Sequence, residues 1–155
     1  MSALVFNLFV VFVFIFAGIE DWLTKTRNVQ EIIGFSLSAV FFVMTIVFYG
    51  LTMINPGYVE KQPDFEQLLN RLMEENYHLD YVCVPCETLR PECADHCNFC
   101  NKCVQKFDHH CVFVNNCLGY RNHKWFLLFL ISFTTYMVAI LVHSISKLVY
   151  FSLAQ

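Results

Sequence analysis

The sequence predicts an all-α integral membrane protein that carries a small cysteine-rich, metal-binding domain. Of its 155 residues, 57% are hydrophobic, and many of these gather into long blocks without charged residues. All eight cysteines lie in one polar segment, residues 83–117. A membrane-spanning helix needs roughly 20 apolar residues, and clustered cysteines form either disulfides or metal sites. These two observations together predict the fold class.

Three blocks are candidates for membrane spans: residues 3–19, 32–54 and 125–142. None of them contains Lys, Arg, Asp or Glu. The first block is the shortest, but it lacks the preceding basic residue and the following cleavage site of a signal peptide. Trp22 and Trp125 lie near block ends, where aromatic rings favour the membrane interface. We therefore predict three transmembrane helices.

Basic residues are unevenly distributed between the predicted loops. Seven Lys and Arg residues lie between the second and third blocks, whereas only Lys25 and Arg27 lie between the first and second. The positive-inside rule then places the cysteine-rich segment in the cytosol and residues 20–31 on the far side. Cytosolic thiols stay reduced, which favours zinc over a disulfide-stapled extracellular module. The net charge of −3 and the absence of a basic run predict no nucleic-acid partner.

The segment that follows the second block predicts a turn and then a short amphipathic helix. Asn55-Pro56-Gly57 is a strong turn signal. Residues 64–76 carry apolar side chains at helical spacing, and Asp64 and Gln67 are placed as a capping box. The apolar positions are Phe65, Leu68, Leu69, Leu72 and Met73. We interpret this face as packing on the metal-binding domain or the bilayer rather than as a partner-binding surface.

These features divide the chain into four predicted parts. Residues 1–57 hold two transmembrane helices, residues 58–76 an amphipathic linker helix, residues 77–124 the zinc-binding domain, and residues 125–155 the third transmembrane helix. We find no internal repeat. The zinc-binding part is too short and too poor in aliphatic residues to fold alone, so we expect metal ions to hold it together.

The cysteine-rich segment has more donors than two zinc sites need. Its order is Cys83-x2-Cys86, nine residues, His96-Cys97-x2-Cys100-x2-Cys103, four residues, Asp108-His109-His110-Cys111, five residues and Cys117. Zinc binds four thiolate or imidazole ligands, so two closed Cys3His sites leave two thiols and one imidazole. Cys93 departs from the paired spacing and is one leftover thiol; the other belongs to the Asp-His-His-Cys run. A thiol beside an imidazole and a carboxylate is placed like a nucleophile with its base.

The pattern from Cys83 to Phe126, which includes Asn122, resembles the signature of the DHHC protein S-acyltransferases, or palmitoyltransferases. The resemblance implies short β-hairpins that bind two structural Zn²⁺ ions. It implies that one ion is held by Cys83, Cys86, His96 and Cys103, and the other by Cys97, Cys100, His110 and Cys117. It also implies that Cys111 is the nucleophile, that His109 is its base, and that Asp108 orients the His109 ring.

The resemblance further implies the reaction and its partners. Cys111 would accept a long-chain acyl group from palmitoyl-CoA or a similar acyl-CoA, and pass it to cysteines of substrate proteins near the cytosolic membrane face. A free thiol, with pKa ~8.5, is mostly protonated at neutral pH, so a base is needed. The bilayer-embedded spans would hold the acyl chain, gaining ~0.8 kcal/mol per buried CH₂. The implied location is the endomembrane system (ER or Golgi) or the plasma membrane, with a cytosolic cysteine-rich domain.

The sequence departs from the commoner family pattern at Asn55, where Asp before Pro-Gly is usual, and in two further features. After Cys111 it has Val112-Phe113-Val114-Asn115-Asn116 where Pro-Trp-Val-Gly-Asn is usual. Family members generally have four spans and a Thr-Thr-x-Glu motif, and this sequence has three predicted spans and no such motif. The alternative function is therefore a zinc-dependent structural or adaptor membrane protein, a truncated pseudoenzyme that keeps the DHHC domain without turnover.

Overall fold

The computed structural model describes residue 12, residues 29–76 and residues 79–153. The first predicted span, residues 3–19, lies outside these residues except for Phe12. The chain divides into two compact units, one formed by residues 1–51 and 125–155 and the other by residues 52–124. The first unit is helical where it is described, and the second contains the cysteines.

The described residues form three α-helices: α1 (Val29–Thr52), α2 (Phe65–Glu74) and α3 (His123–Leu153). Two of them are long and apolar enough to cross a membrane, over Ile32–Thr52 and His123–Tyr150. They correspond to the second and third predicted spans. Helix α3 continues beyond the predicted end at Val142 because no Gly or Pro follows before Leu153.

Aromatic rings fill the contact between α1 and α3 in the helical unit. The ring centroids of Tyr49 and Phe129 are 5.4 Å apart, and those of Phe48 and Trp125 are 6.2 Å apart. Tyr49 and Phe129 are both buried. Tilted and stacked pairs at these distances add to the energy of burial, so the aromatic side chains hold the two helices together.

The turn after α1 forms as predicted. The Asn55 side-chain oxygen accepts hydrogen bonds from the backbone N–H groups of Gly57 (2.8 Å) and Tyr58 (3.1 Å). Gly57 has φ 101°, a conformation that favours glycine. The Asn55 side chain and the Gly57 backbone therefore fix the conformation of this turn.

Helix α2 lies within the predicted range, but the predicted capping box is wrong. Asp64 makes no side-chain capping hydrogen bond, and its ψ of 43° departs from the extended conformation in which a cap side chain reaches the first-turn N–H groups. On the apolar face only Phe65 is buried; the three leucines are half-buried and Met73 is exposed. The buried side chain of Phe65, the first residue of the helix, therefore anchors α2, and a capping hydrogen bond from Asp64 does not.

The cysteine-containing unit consists of three antiparallel β-hairpins of very short strands. The first pairs β1 (Val82–Cys83) with β2 (Thr88–Leu89), the second β3 (Ala94–Cys97) with β4 (Lys102–Gln105), and the third β5 (His109–Cys111) with β6 (Asn116–Leu118). Two 3₁₀ turns, Leu79–Tyr81 and Val84–Cys86, flank β1. Isolated two-stranded hairpins are marginally stable at best in water, so other contacts must hold these three in place.

The three hairpins form a repeat of 14 residues, which corrects the sequence-based conclusion that the chain has none. Cys83, Cys97 and Cys111 each end the first strand of a hairpin, and each pairs with the residue five positions later. Four residues after each cysteine comes a left-handed residue: Glu87 (φ 49°), Asn101 (φ 48°) and Asn115 (φ 49°). The cysteine is the one residue common to all three copies, so the repeat is visible in register and backbone but weak in sequence.

Two buried asparagines fix the third hairpin within this unit. Asn122 donates to the carbonyls of Thr52 (2.8 Å) and Cys117 (2.9 Å) and accepts a hydrogen bond from the Gly119 N–H (2.9 Å). Asn116 donates to the carbonyls of Thr52 (3.3 Å) and Ile54 (3.1 Å). Carbonyls at a helix C-terminus lack partners within the helix, and here both amides donate to that of Thr52, while Asn116 also satisfies the carbonyl of Ile54 in the following turn.

Candidate metal centres and active site

The first group of metal-type donors joins the first two hairpins. The donor atoms of Cys83, Cys86, His96 and Cys103 all lie within 4.8 Å of one another. Cys83 and Cys86 come from the turn of the first hairpin, and His96 and Cys103 face each other across the second. The His96 Nδ1 atom lies 3.5, 3.2 and 4.0 Å from the sulfurs of Cys83, Cys86 and Cys103.

The second group is built in the same way, one hairpin further along the chain. Cys97 and Cys100 come from the turn of the second hairpin, and His110 and Cys117 face each other across the third. The His110 Nδ1 atom lies 3.8, 3.3 and 3.8 Å from the sulfurs of Cys97, Cys100 and Cys117. The Phe99 ring stacks on the His110 imidazole, with the centroids 5.0 Å apart. The structure thus brings the eight predicted ligands together in the two predicted sets.

The geometry and chemistry of both groups fit zinc. In a tetrahedral site with Zn–S of about 2.3 Å and Zn–N of about 2.0 Å, neighbouring sulfur and nitrogen ligands lie roughly 3.5 Å apart. Burial, aided by the neighbouring thiols, raises the pKa of Cys103 far above its usual range, and the pKa of Cys117 likewise. Without a cation Cys103 and Cys117 resist ionisation, so each site suits an ion that stabilises a buried thiolate. Bound there, zinc would supply structural cross-links between hairpins.

The two groups connect the three hairpins in series. Each takes two thiols from the turn of one hairpin and a His–Cys pair from the next. The third hairpin has no successor, because the chain enters α3 at His123. The cysteine that ends its first strand, Cys111, belongs to neither donor group of the described residues. Cys111 nevertheless occupies the same place in the repeat as Cys83 and Cys97.

Strand β5 places the predicted active-site residues on two faces. Alternate residues of a strand point the same way, so His109 and Cys111 share one face while His110 points to the metal group on the other. Cys111 is 5% exposed and His109 is about half-exposed. The Asp108 Oδ2 atom lies 3.4 Å from the His109 Nδ1 atom. The backbone N–H of Asp108 donates to the carbonyl of Leu118 (2.9 Å), and this hydrogen bond fixes the Asp108 backbone.

One contact of the site was missed by the sequence analysis. The Nε2 atom of His123, the first residue of α3, lies 3.5 Å from the same Asp108 Oδ2 atom. His123 is not a fixed position of the spacing pattern, and its approach to Asp108 depends on the path of the chain after β6. Sequence spacing carried no signal for it. The Asp108 carboxylate therefore lies between two imidazoles.

Cys93, the other leftover thiol, lies away from this arrangement. It is exposed, has φ 63° and belongs to neither donor group of the described residues. None of the eight cysteines, all of which are described, forms a disulfide. The two thiols without a ligand role thus differ in burial and in their neighbours.

Comparison with known proteins identifies the family of the chain. The family model described as DHHC palmitoyltransferase matches residues 76–154. The chain is 38% identical over 110 residues to palmitoyltransferase AKR1 of Mortierella alpina, covering 68% of this chain and 19% of that protein. It is 34% identical over 128 residues to palmitoyltransferase ZDHHC8B of Danio rerio, covering 77% of this chain and 17% of that protein. The chain spans less than a fifth of the length of these two relatives. By its cysteine-rich segment and the helix that follows, the chain belongs to the DHHC palmitoyltransferase family.

Proposed function

We propose that the protein is a protein S-acyltransferase that moves a long-chain acyl group from acyl-CoA to cysteines of substrate proteins through an acyl-enzyme on Cys111. One observation carries this proposal. The two donor groups use every cysteine of the three hairpins except Cys111, which lies on the strand face it shares with His109. A thiol that is spared from metal binding and adjacent to a carboxylate-oriented imidazole has the surroundings of a nucleophile.

In the first step Cys111 attacks the acyl-CoA thioester. His109 takes the thiol proton of Cys111, and the Cys111 sulfur forms a bond to the thioester carbonyl carbon. The bond between that carbon and the CoA sulfur breaks, and His109 returns the proton to the CoA thiolate. Asp108 orients the His109 ring and stabilises its protonated form.

In the second step the acyl group leaves on a substrate thiol. His109 accepts the proton of the incoming cysteine, whose sulfur attacks the acyl carbon. The bond to Cys111 breaks, and its thiolate recovers the proton from His109. Exchange of one thioester for another is close to balanced in energy, so the protein contributes mainly positioning and thiolate formation.

The membrane placement belongs to the same proposal. Three spans, with residues 3–19 as the first, would place the cysteine-rich domain on the cytosolic face of an endomembrane or the plasma membrane. The uneven distribution of basic residues supports this orientation. A long acyl chain gains ~0.8 kcal/mol for each CH₂ buried in the bilayer or between spans, which favours a site at the membrane surface. Substrate cysteines would accordingly lie close to the membrane.

Acyl labelling tests the proposal. We expect purified, zinc-loaded protein in detergent to take a hydroxylamine-sensitive label from clickable palmitoyl-CoA. Cys111→Ala should remove the label, and His109→Ala should slow labelling by about 10²- to 10⁴-fold, the usual contribution of a general base. Cys93→Ser, which alters the exposed thiol outside both donor groups, is the matched control and should label like the wild type.

Two results would contradict the proposed activity. One is a label that persists at full level in Cys111→Ala. The other is a wild-type protein that contains two zinc ions but takes no label, which is what a structural or adaptor role predicts.

A further inference from the structure

We infer that Val114 keeps Cys111 out of metal coordination, and that this valine determines whether the third hairpin carries an acyl group or a metal ion. The inference rests on the proposed function, because it explains how the proposed nucleophile stays available. It follows from the 14-residue repeat of the hairpins and from the burial of two side chains.

The repeat assigns each turn position a role. In the first two hairpins the cysteine that ends the first strand, Cys83 or Cys97, is followed three residues later by a second ligand thiol, Cys86 or Cys100. The equivalent position of the third hairpin is Val114. The third hairpin therefore keeps the first thiol of the motif and lacks the second.

The backbone of the third turn has the same conformation as the two turns that bring a pair of ligand thiols together. Cys111 pairs with Asn116 in the register that Cys97 shows with Lys102, and Asn115 repeats the left-handed conformation of Asn101. In the first two turns this backbone conformation places the two sulfurs of each pair within 4.8 Å of each other. A sulfur at position 114 would thus lie within chelating reach of the Cys111 sulfur.

Val114 blocks chelation because it offers no donor atom and fills the space. Its side chain is 1% exposed, and Cys111 is 5% exposed. A single thiol is a weak zinc ligand, whereas two thiols on a preformed turn bind one ion together. The His–Cys pair that completes each of the other groups has no counterpart here, because the next repeat falls in α3. A second thiol would therefore create a two-thiol site weaker than the two structural sites.

The test is Val114→Cys in the full chain, kept under a phosphine reductant so that no disulfide forms. Cysteine is smaller than valine and is readily buried, so the two structural zinc ions should be retained. Two quantities are measured: the rate of self-acylation against added Zn²⁺, and the number of bound metal ions. The controls are wild type, Val114→Ser, which changes the packing without adding sulfur, and the double variant Cys111→Ala/Val114→Cys.

We expect the Zn²⁺ concentration that halves the acylation rate to fall at least about tenfold in Val114→Cys, since each thiolate ligand adds strongly to zinc affinity. The variant should bind a third metal ion that wild type, Val114→Ser and the double variant do not bind. Equal zinc sensitivity and equal metal content in wild type and Val114→Cys would overturn the inference, as would loss of the structural zinc in that variant. Equal sensitivity of Val114→Ser and Val114→Cys would also overturn it. If wild type takes no label, the proposed function fails, whereas the third-metal measurement still decides the role of Val114.

Discussion

The difference between Cys111 and Cys93 shows how local structure sets the fate of a thiol. Both cysteines remain when the ligands of two zinc sites are taken from the eight cysteines. Spacing alone therefore indicates both as thiols without a ligand role. Cys93 is exposed, has a left-handed backbone conformation and lies just before β3. Cys111 is buried on β5, two residues after His109. Burial and neighbours therefore distinguish the exposed thiol of Cys93 from the thiol that we propose as the nucleophile.

We predict that Cys97→Ala and Cys93→Ser have opposite effects on metal content. Cys97 is 2% exposed and belongs to the second donor group, so its removal should lower zinc from about two ions per chain to about one or fewer. Cys93→Ser should leave the content unchanged. The measurement is elemental analysis of purified protein, and zinc loss in Cys93→Ser with none in Cys97→Ala would refute the assignment.

The eight ligands could be assigned to two sets because the sequence resembles a family whose signature has the same local spacing, and the structure brings the same two sets together. The paired thiols lie two residues apart, and the histidines sit immediately before Cys97 and Cys111. The contact between His123 and Asp108 could not be predicted, because it depends on where α3 begins in space. The failed cap at Asp64 has a similar cause: residue type favoured a cap, and the backbone conformation excluded it.

The hairpins depend on close backbone approach as well as on metal. Gly119 follows β6, and a Cβ there would lie 2.7 Å from the Pro56 carbonyl oxygen and 2.9 Å from the Gln105 carbonyl oxygen. Hydrogen bonds from Tyr120 to Gln105 (2.9 Å) and from Arg121 to Pro56 (3.1 Å) hold those carbonyls in place. The three segments therefore meet at a point where any side chain would force them apart.

We predict that Gly119→Ala destabilises the cysteine-rich unit by about 1–3 kcal/mol or more, the usual range for overpacking. Gly50→Ala is the control, because a Cβ there has nothing within 4 Å and helical alanine is favoured over glycine by roughly 0.5–1 kcal/mol. The measurement is the denaturant dependence of zinc release to a chromophoric chelator in detergent. Equal midpoints for the two variants would contradict the packing argument.

The 14-residue repeat explains why the elements were harder to predict than the residues. Apolar blocks identified α1 and α3 from composition alone, and the turn at Asn55 followed from its residue types. The hairpins share one residue type in all three copies, so their common register became visible only in the backbone. Strands of two to four residues also carry too few side chains for an alternating pattern to stand out.

At the scale of the described chain, two metal ions would link three hairpins in series. The third hairpin keeps a thiol outside both groups, because the chain continues from it into α3 rather than into another hairpin. In this arrangement the metal groups are structural, and the proposed nucleophile belongs to the third hairpin of the described repeat. Metal binding and acylation must then coexist on one molecule, since they use different cysteines. The acyl group must also be found at one position.

Native mass spectrometry of the zinc-loaded chain after incubation with palmitoyl-CoA tests this requirement most directly. We predict a species that carries two zinc ions and one acyl group together, with fragmentation placing the acyl group on Cys111. A species that gains the acyl group only when a zinc ion is lost, or that carries it on one of the eight predicted ligands or on Cys93, would contradict the account.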